Sequence, residues 1–162
     1  MCRAKIIIKI KSYRTIGRKQ LKSLLDYIEA AKQVIREVSH EDGRALVEQG
    51  VKVLDVREPG EYLAGAIEGA VNVPRGVLEP AADMDYAGAN PTLRDHRDDA
   101  WLVVCKSGGR AALATQVLSE MGFKNVTNLV GGMDAWQSAG FPMVIPSDDN
   151  MTVVLKEPCR ID

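Results

Sequence analysis

Residues 102–112 read L-V-V-C-K-S-G-G-R-A-A, an apolar strand, a cysteine, a turn with two adjacent glycines and the start of a helix. A strand that ends in Cys105 sets a thiol at the carboxyl edge of a sheet, where open α/β folds place their ligands. A helix beginning near Arg110 aims its free N–H groups and the positive end of its dipole back at the sulfur. Lys106 and Arg110 add formal positive charge, and all of these effects favour thiolate over thiol. A cysteine closing an apolar strand is more often a small, inert hydrophobe. Here Lys106, Ser107, Gly108, Gly109 and Arg110 follow it, so the sulfur stands where the chain leaves the core. Gly108 and Gly109 let the backbone close tightly and turn its amides inward, as anion-binding nests do. The expected site is a reactive cysteine in a cationic loop.

Around this unit, strand and helix patterns alternate. Ser39 and Asp42 suit the cap of a short helix ending near Gly50. Residues 51–56 read as a buried strand, 59–63 as a short helix and 70–73 as a strand. A loop-rich stretch leads to a strand at 101–104, followed by a helix at 111–121 that Gly122 stops. A strand at 126–129 and a helix at 133–138 complete the series. Such alternation predicts an α/β fold, a parallel sheet with helices on both faces. Upstream, Leu21, Leu24, Leu25, Ile28, Ala31, Ile35 and Val38 recur at helical spacing, predicting an amphipathic helix of about five turns over 19–38. Its apolar stripe suits packing on the domain's flank, with a homodimer or partner-protein contact as the sharper possibility. Residues 1–18 read as a basic leader, and 146–162 as a tail with strand-like pieces of underivable placement.

C-K-S-G-G-R resembles the active-site loop of the rhodanese family, sulfurtransferases that carry a persulfide on one cysteine. Two further stretches are similar to the family's motifs and lie in the expected order. L-D-V-R-E-P-G-E-Y at 54–62 precedes G-A-I-E-G-A-V-N-V-P at 65–74, and L-V-G-G-M-D-A-W stands at 129–136. The resemblance covers about residues 38–145, giving a rhodanese domain over 39–145. It departs from many members at Ala66, where they have a histidine of mostly structural role. It implies a single-domain thiosulfate sulfurtransferase with Cys105 as nucleophile and the loop Lys106, Ser107, Gly108, Gly109 and Arg110 as the donor cradle. Asp55 and Arg57 are placed on the same sheet edge, as a supporting ion pair or with Arg57 reaching the donor. Some thiosulfate-selective members carry a basic residue around Glu61, so an acid there bears on donor affinity.

Charge and cysteine usage bound the alternatives. Residues 1–22 hold eight Lys or Arg and no acid, leaving 13 basic against 22 acidic residues in the remainder, a net of −9. An acidic body disfavours nucleic-acid binding by the domain itself. Cys2, Cys105 and Cys159 make no C-x-x-C pair and no metal spacing with His40 or His96. Sparse, odd cysteines suit a reducing compartment, and no apolar run approaches a membrane span. The expectation is a cytoplasmic protein with neither metal nor cofactor, whose partners are thiosulfate and a thiol acceptor. A phosphatase or arsenate-reductase reading needs C-x5-R, and here the arginine comes one residue early. A transferase of 3-mercaptopyruvate is disfavoured by Lys106, since relatives with that preference tend to have a small uncharged residue there. A persulfide carrier module for a partner protein is the reading of a different class. Cys159, three residues from the end, reads as adventitious rather than as a resolving thiol.

Overall fold

Every strand of the sheet is parallel to its neighbours, so all carboxyl ends lie along one edge. The computed structural model describes residues 21–153. The elements run α1 (Leu24–Lys32), β1 (Arg36–Val38), α2 (His40–Glu48), β2 (Lys52–Asp55), α3 (Pro59–Leu63) and β3 (Val71–Asn72). They continue with α4 (Leu78–Ala82), α5 (Pro91–Asp95), β4 (Ala100–Val104), α6 (Gly109–Glu120), β5 (Asn125–Leu129) and α7 (Gly132–Ser138). The sheet order is β1-β5-β4-β2-β3, with β4 in the centre.

Alternate residues of the central strands feed two cores, as the period of a strand requires. On one face Leu54, Trp101 and Val103 pack with Leu78, Leu93, Ala114 and Leu118 from α4, α5 and α6. On the other, Val53, Leu102 and Val104 meet Tyr62, Met133 and Trp136 from α3 and α7, with Leu46 and Val47 of α2 packed against them. Both buried indoles reach a carbonyl, Trp101 that of His96 at 2.8 Å and Trp136 that of Pro142 at 2.9 Å. A sheet covered on both faces accounts for the nearly unbroken apolar runs of β2 and β4. After α7 the chain is tied down at Val144, which bridges Ala66, and at Met151, which bridges Asn72.

The helix expected over 19–38 is shorter than its spacing suggests. It spans Leu24–Lys32, and Arg36–Val38 leave it to form the edge strand β1, paired with β5 from Arg36–Thr127 to Val38–Leu129. Ser23 caps α1 by accepting the Asp26 N–H, while Asp26 accepts the Ser23 N–H in return. The helix packs against α6, burying Ala31 and half-burying Ile28. Leu24 and Leu25 remain 67% and 68% exposed. The leader at 1–18, Cys2 and Cys159 lie outside the described residues. Among those described, no helix is long and apolar enough to cross a membrane.

Candidate active site

Three loops leave the carboxyl edge side by side. They follow β2, β4 and β5, and the middle one carries Cys105. The β4 loop turns directly into α6, whose first residue is Gly109 rather than the expected position 111. Gly108 caps it with a left-handed backbone, φ +94°, and donates its N–H to Cys105 Sγ at 3.1 Å. A side chain at 108 would crowd the Gly131 amide and the Leu129 carbonyl, at 3.2 and 3.4 Å from its Cβ. The amide that faces the sulfur therefore depends on glycine both for its turn and for its space.

The β5 loop braces the β4 loop from behind. The Met133 N–H donates to the Cys105 carbonyl at 2.8 Å, and the Asp134 N–H to the Lys106 carbonyl at 2.9 Å. Gly132 comes so close that a Cβ there would lie 2.3 Å from the Cys105 carbonyl oxygen. The G-G of the 129–136 motif is thus the contact surface for the cysteine loop.

The β2 loop supplies a buried ion pair. Asp55 is fully buried and Arg57 is 6% exposed. The Asp55 carboxylate accepts Arg57 Nη2 at 2.6 Å, Nε at 3.0 Å and the Arg57 backbone N–H at 3.0 Å. Arg57 Nη2 also donates to the Gly65 carbonyl at 2.7 Å. Asn72 Nδ2 donates to the carbonyls of Asp55 and Arg57 at 3.0 and 2.9 Å. With these donors committed inside the protein, the geometry matches a support for the loop rather than an arm reaching a donor.

Arg110 is held by a carboxylate from another element, Glu61. Its two terminal nitrogens donate to the two Glu61 carboxylate oxygens, both at 2.8 Å, a bidentate pair that joins the start of α6 to α3. Glu61 also accepts the Glu58 N–H at 3.1 Å. The Arg110 hydrogen bonds, aided by that N–H, hold the Glu61 carboxyl down at about 2 against its burial, and the same bonds raise Arg110. Lys106 is exposed, with no carboxylate within salt-bridge reach among the described residues. Cys105 itself is 1% exposed, so the thiol is screened from bulk water. His96 pairs with Asp99 at the surface, 2.8 Å apart, away from this edge. No group of three or more His, Cys, Asp or Glu side chains among the described residues is placed to hold a metal.

Sequence reasoning placed Cys105, its loop, Asp55 and Arg57 along one edge, and the structure brings them together there. It missed the bracing amides of Met133 and Asp134 and the donor side chain of Asn72. Backbone amides carry no residue signature, and a lone asparagine after a valine has no distinctive pattern.

Comparison with known families is decisive: the model of the rhodanese-like domain matches residues 39–139. The chain belongs to the rhodanese family. Among its relatives, thiosulfate sulfurtransferase 16 of Arabidopsis thaliana is 38% identical over 98 residues, covering 57% of this chain and 79% of the relative. A candidate mitochondrial thiosulfate sulfurtransferase of Schizosaccharomyces pombe is 34% identical, covering 52% of this chain and 61% of its own length. YrkF of Bacillus subtilis, a candidate sulfur carrier, is 33% identical, covering 55% of this chain and 43% of its own length. The rhodanese match therefore spans less than two thirds of two of these relatives. Among solved structures, a Rhodopseudomonas palustris protein described as a candidate tyrosine phosphatase superposes with a TM-score of 0.71 at 31% identity. It covers 76% of this chain and 95% of that one. A human single-domain sulfurtransferase gives 0.56 at 30% identity, covering 63% and 95%. The rhodanese family match and the sulfurtransferase relatives support sulfur transfer in general.

Proposed function

We propose that this rhodanese transfers sulfane sulfur from thiosulfate to a thiol acceptor through a persulfide on Cys105. The observation that carries the reading is the Gly108 N–H held 3.1 Å from Cys105 Sγ, at the start of α6. That amide and the helix dipole favour a negative sulfur before and after transfer. The Cys105 thiolate attacks the outer sulfur of thiosulfate. The bond between the two donor sulfurs breaks, and sulfite leaves with the electron pair. An acceptor thiolate then attacks the outer sulfur of the Cys105 persulfide. The new persulfide departs on the acceptor, and Cys105 regains its electron pair as thiolate. No general base is required once the thiolate exists. Lys106, exposed beside the cysteine, is the cation available to attract the donor's sulfonate end.

Two half-reactions joined by a covalent intermediate give ping-pong kinetics. Initial rates measured over a grid of thiosulfate and acceptor concentrations therefore yield parallel double-reciprocal lines. Intersecting lines would contradict the covalent intermediate.

A persulfide carrier is the second reading, supported by α1. Leu24 and Leu25 lie exposed on the helix whose Ile28 sits against Gly109 of the cysteine loop, and an apolar surface beside the site suits a protein donor or a second copy. Leu24→Asp combined with Leu25→Asp separates the two readings. The carrier loses sulfur exchange with its protein partner, whereas small-molecule transfer is unaffected.

A further inference from the structure

We infer that the cleft between α1 and the cysteine loop is a binding site for a primary aliphatic ammonium group, held by Asn128 and Glu37. The inference does not depend on the transfer reading of Cys105. The cleft has a volume of about 240 Å3. Two of its walls come from α1 and β1, which precede the matched rhodanese domain at 39–139. Strand register builds its polar side. Glu37 of β1 stands opposite Asn128 of β5, and Asn128 opposite Val103 of β4, so the three share one sheet face. Val103 belongs to the apolar core on that face, whereas Asn128, only 1% exposed, is a carboxamide. Asn128 Nδ2 donates to Glu37 Oε1 at 2.8 Å, and a carboxylate only accepts, which fixes the nitrogen end of the amide. Asn128 Oδ1 is left buried with no hydrogen-bond partner among the described residues. Such an acceptor costs free energy until a donor meets it.

The site calls for a donor that carries positive charge. Asn128 Oδ1 and the Glu37 carboxylate are acceptors joined in one hydrogen-bonded unit, and an ammonium brings three N–H donors to them. The charges lining the cleft agree in sign. Glu29 and Glu37 against Lys32 leave it one negative charge, and Lys32 faces Glu29 at 3.8 Å. Leu25, Ile28 and Val130 supply an apolar wall for an alkyl body. A free alkylamine and the side chain of a partner's lysine present this same group.

The test titrates the isotope-labelled full chain at neutral pH with n-pentylamine, using pentanol and pentanoate as neutral and anionic controls of the same length. Gly108, Gly109 and Gly131 line the cleft, so their amide NMR signals report on it. Pentylamine is expected to shift them saturably, and the two controls to leave them in place. Glu37→Gln keeps an acceptor oxygen but removes the charge, and is expected to raise the pentylamine Kd about tenfold or more. Asn128→Leu replaces the unpartnered acceptor with an apolar side chain of similar size. It is expected to abolish saturable binding while the thermal midpoint holds or rises, a combination that a purely structural asparagine would not give. Glu37 is exposed, so its variant reads binding even where Asn128→Leu does not fold. N-acetyl-lysine methylamide separates the two sources. Binding as tight as that of pentylamine assigns the cleft to a lysine side chain, and much weaker binding assigns it to a free amine. No saturable shift with either amine, shifts by pentanol equal to those by pentylamine, or an unchanged Kd in either folded variant would overturn the inference.

Discussion

Cys105 is reactive in this account because of its neighbours rather than its own chemistry, and each neighbour can be removed singly. Lys106→Ala takes away the exposed cation beside the thiol. It is expected to raise the thiosulfate KM about three- to tenfold while leaving persulfide formation at saturating donor nearly intact. Steady-state kinetics checks this, and an unchanged KM would remove Lys106 from donor binding. Asp55→Ala tests the brace below the site. It strands the buried Arg57 guanidinium without its carboxylate and is expected to cost about 3–5 kcal/mol of stability, read from the shift of a urea unfolding curve. The Glu61–Arg110 bridge carries a pH signature at the same scale. Glu61 has a folded value of about 2 against an ordinary 4.5, so its contribution is complete above the ordinary value and is lost as pH falls toward 2. The difference in thermal midpoint between wild type and Glu61→Gln should therefore be constant near neutrality and close as the medium is acidified below about pH 4.5. A gap that persisted at the acid end would place the stabilisation elsewhere.

At the level of elements, the site is a meeting of three strand ends, and the tightest contact is between two loops. Gly132 has φ +56° and presses on the Cys105 and Lys106 carbonyls. Gly132→Ala therefore combines an unfavourable backbone with overlap and is expected to cost about 2–4 kcal/mol, lowering both thermal stability and transfer rate. Much of this organisation was legible in the chain. The run L-V-V-C followed by S-G-G-R announces a strand, a tight turn and a helix because apolar residues, glycines and charges each leave a local signature. The strands at 101–104 and 126–129 and the short helix at 59–63 were readable for the same reason. The helix at 19–38 was misread because Ile35 and Val38 continue a helical spacing, while Val38 equally suits an edge strand. No glycine or proline marks the break after Lys32. What makes Arg36–Val38 a strand is pairing with β5, ninety or so residues away in sequence, which no local pattern encodes. The Arg110–Glu61 pair was hidden likewise: its partners are 49 residues apart and meet only because β2 and β4 are neighbours.

For the molecule as a whole, one sheet edge gathers a screened thiol, a glycine amide pointed at it and two ion pairs, Arg57–Asp55 and Arg110–Glu61. The two cores on either face hold β2, β4 and β5 in register, so the loops that follow them lie side by side. α1 adds a further layer against α6 and touches the cysteine loop through Ile28 and Gly109. Removing residues 1–38 would therefore strip both this support and the edge strand β1. It is expected to lower the thermal midpoint of the domain, and a truncated protein as stable as the full chain would contradict the packing described. The central claim, that Cys105 carries sulfur, is tested most directly by intact-protein mass spectrometry after incubation with thiosulfate and again after adding an acceptor thiol. The account predicts a gain of one sulfur atom that maps to the peptide containing Cys105, disappears on adding the thiol and is absent from Cys105→Ser. A protein that gains no sulfur, or gains it equally in Cys105→Ser, would contradict the account.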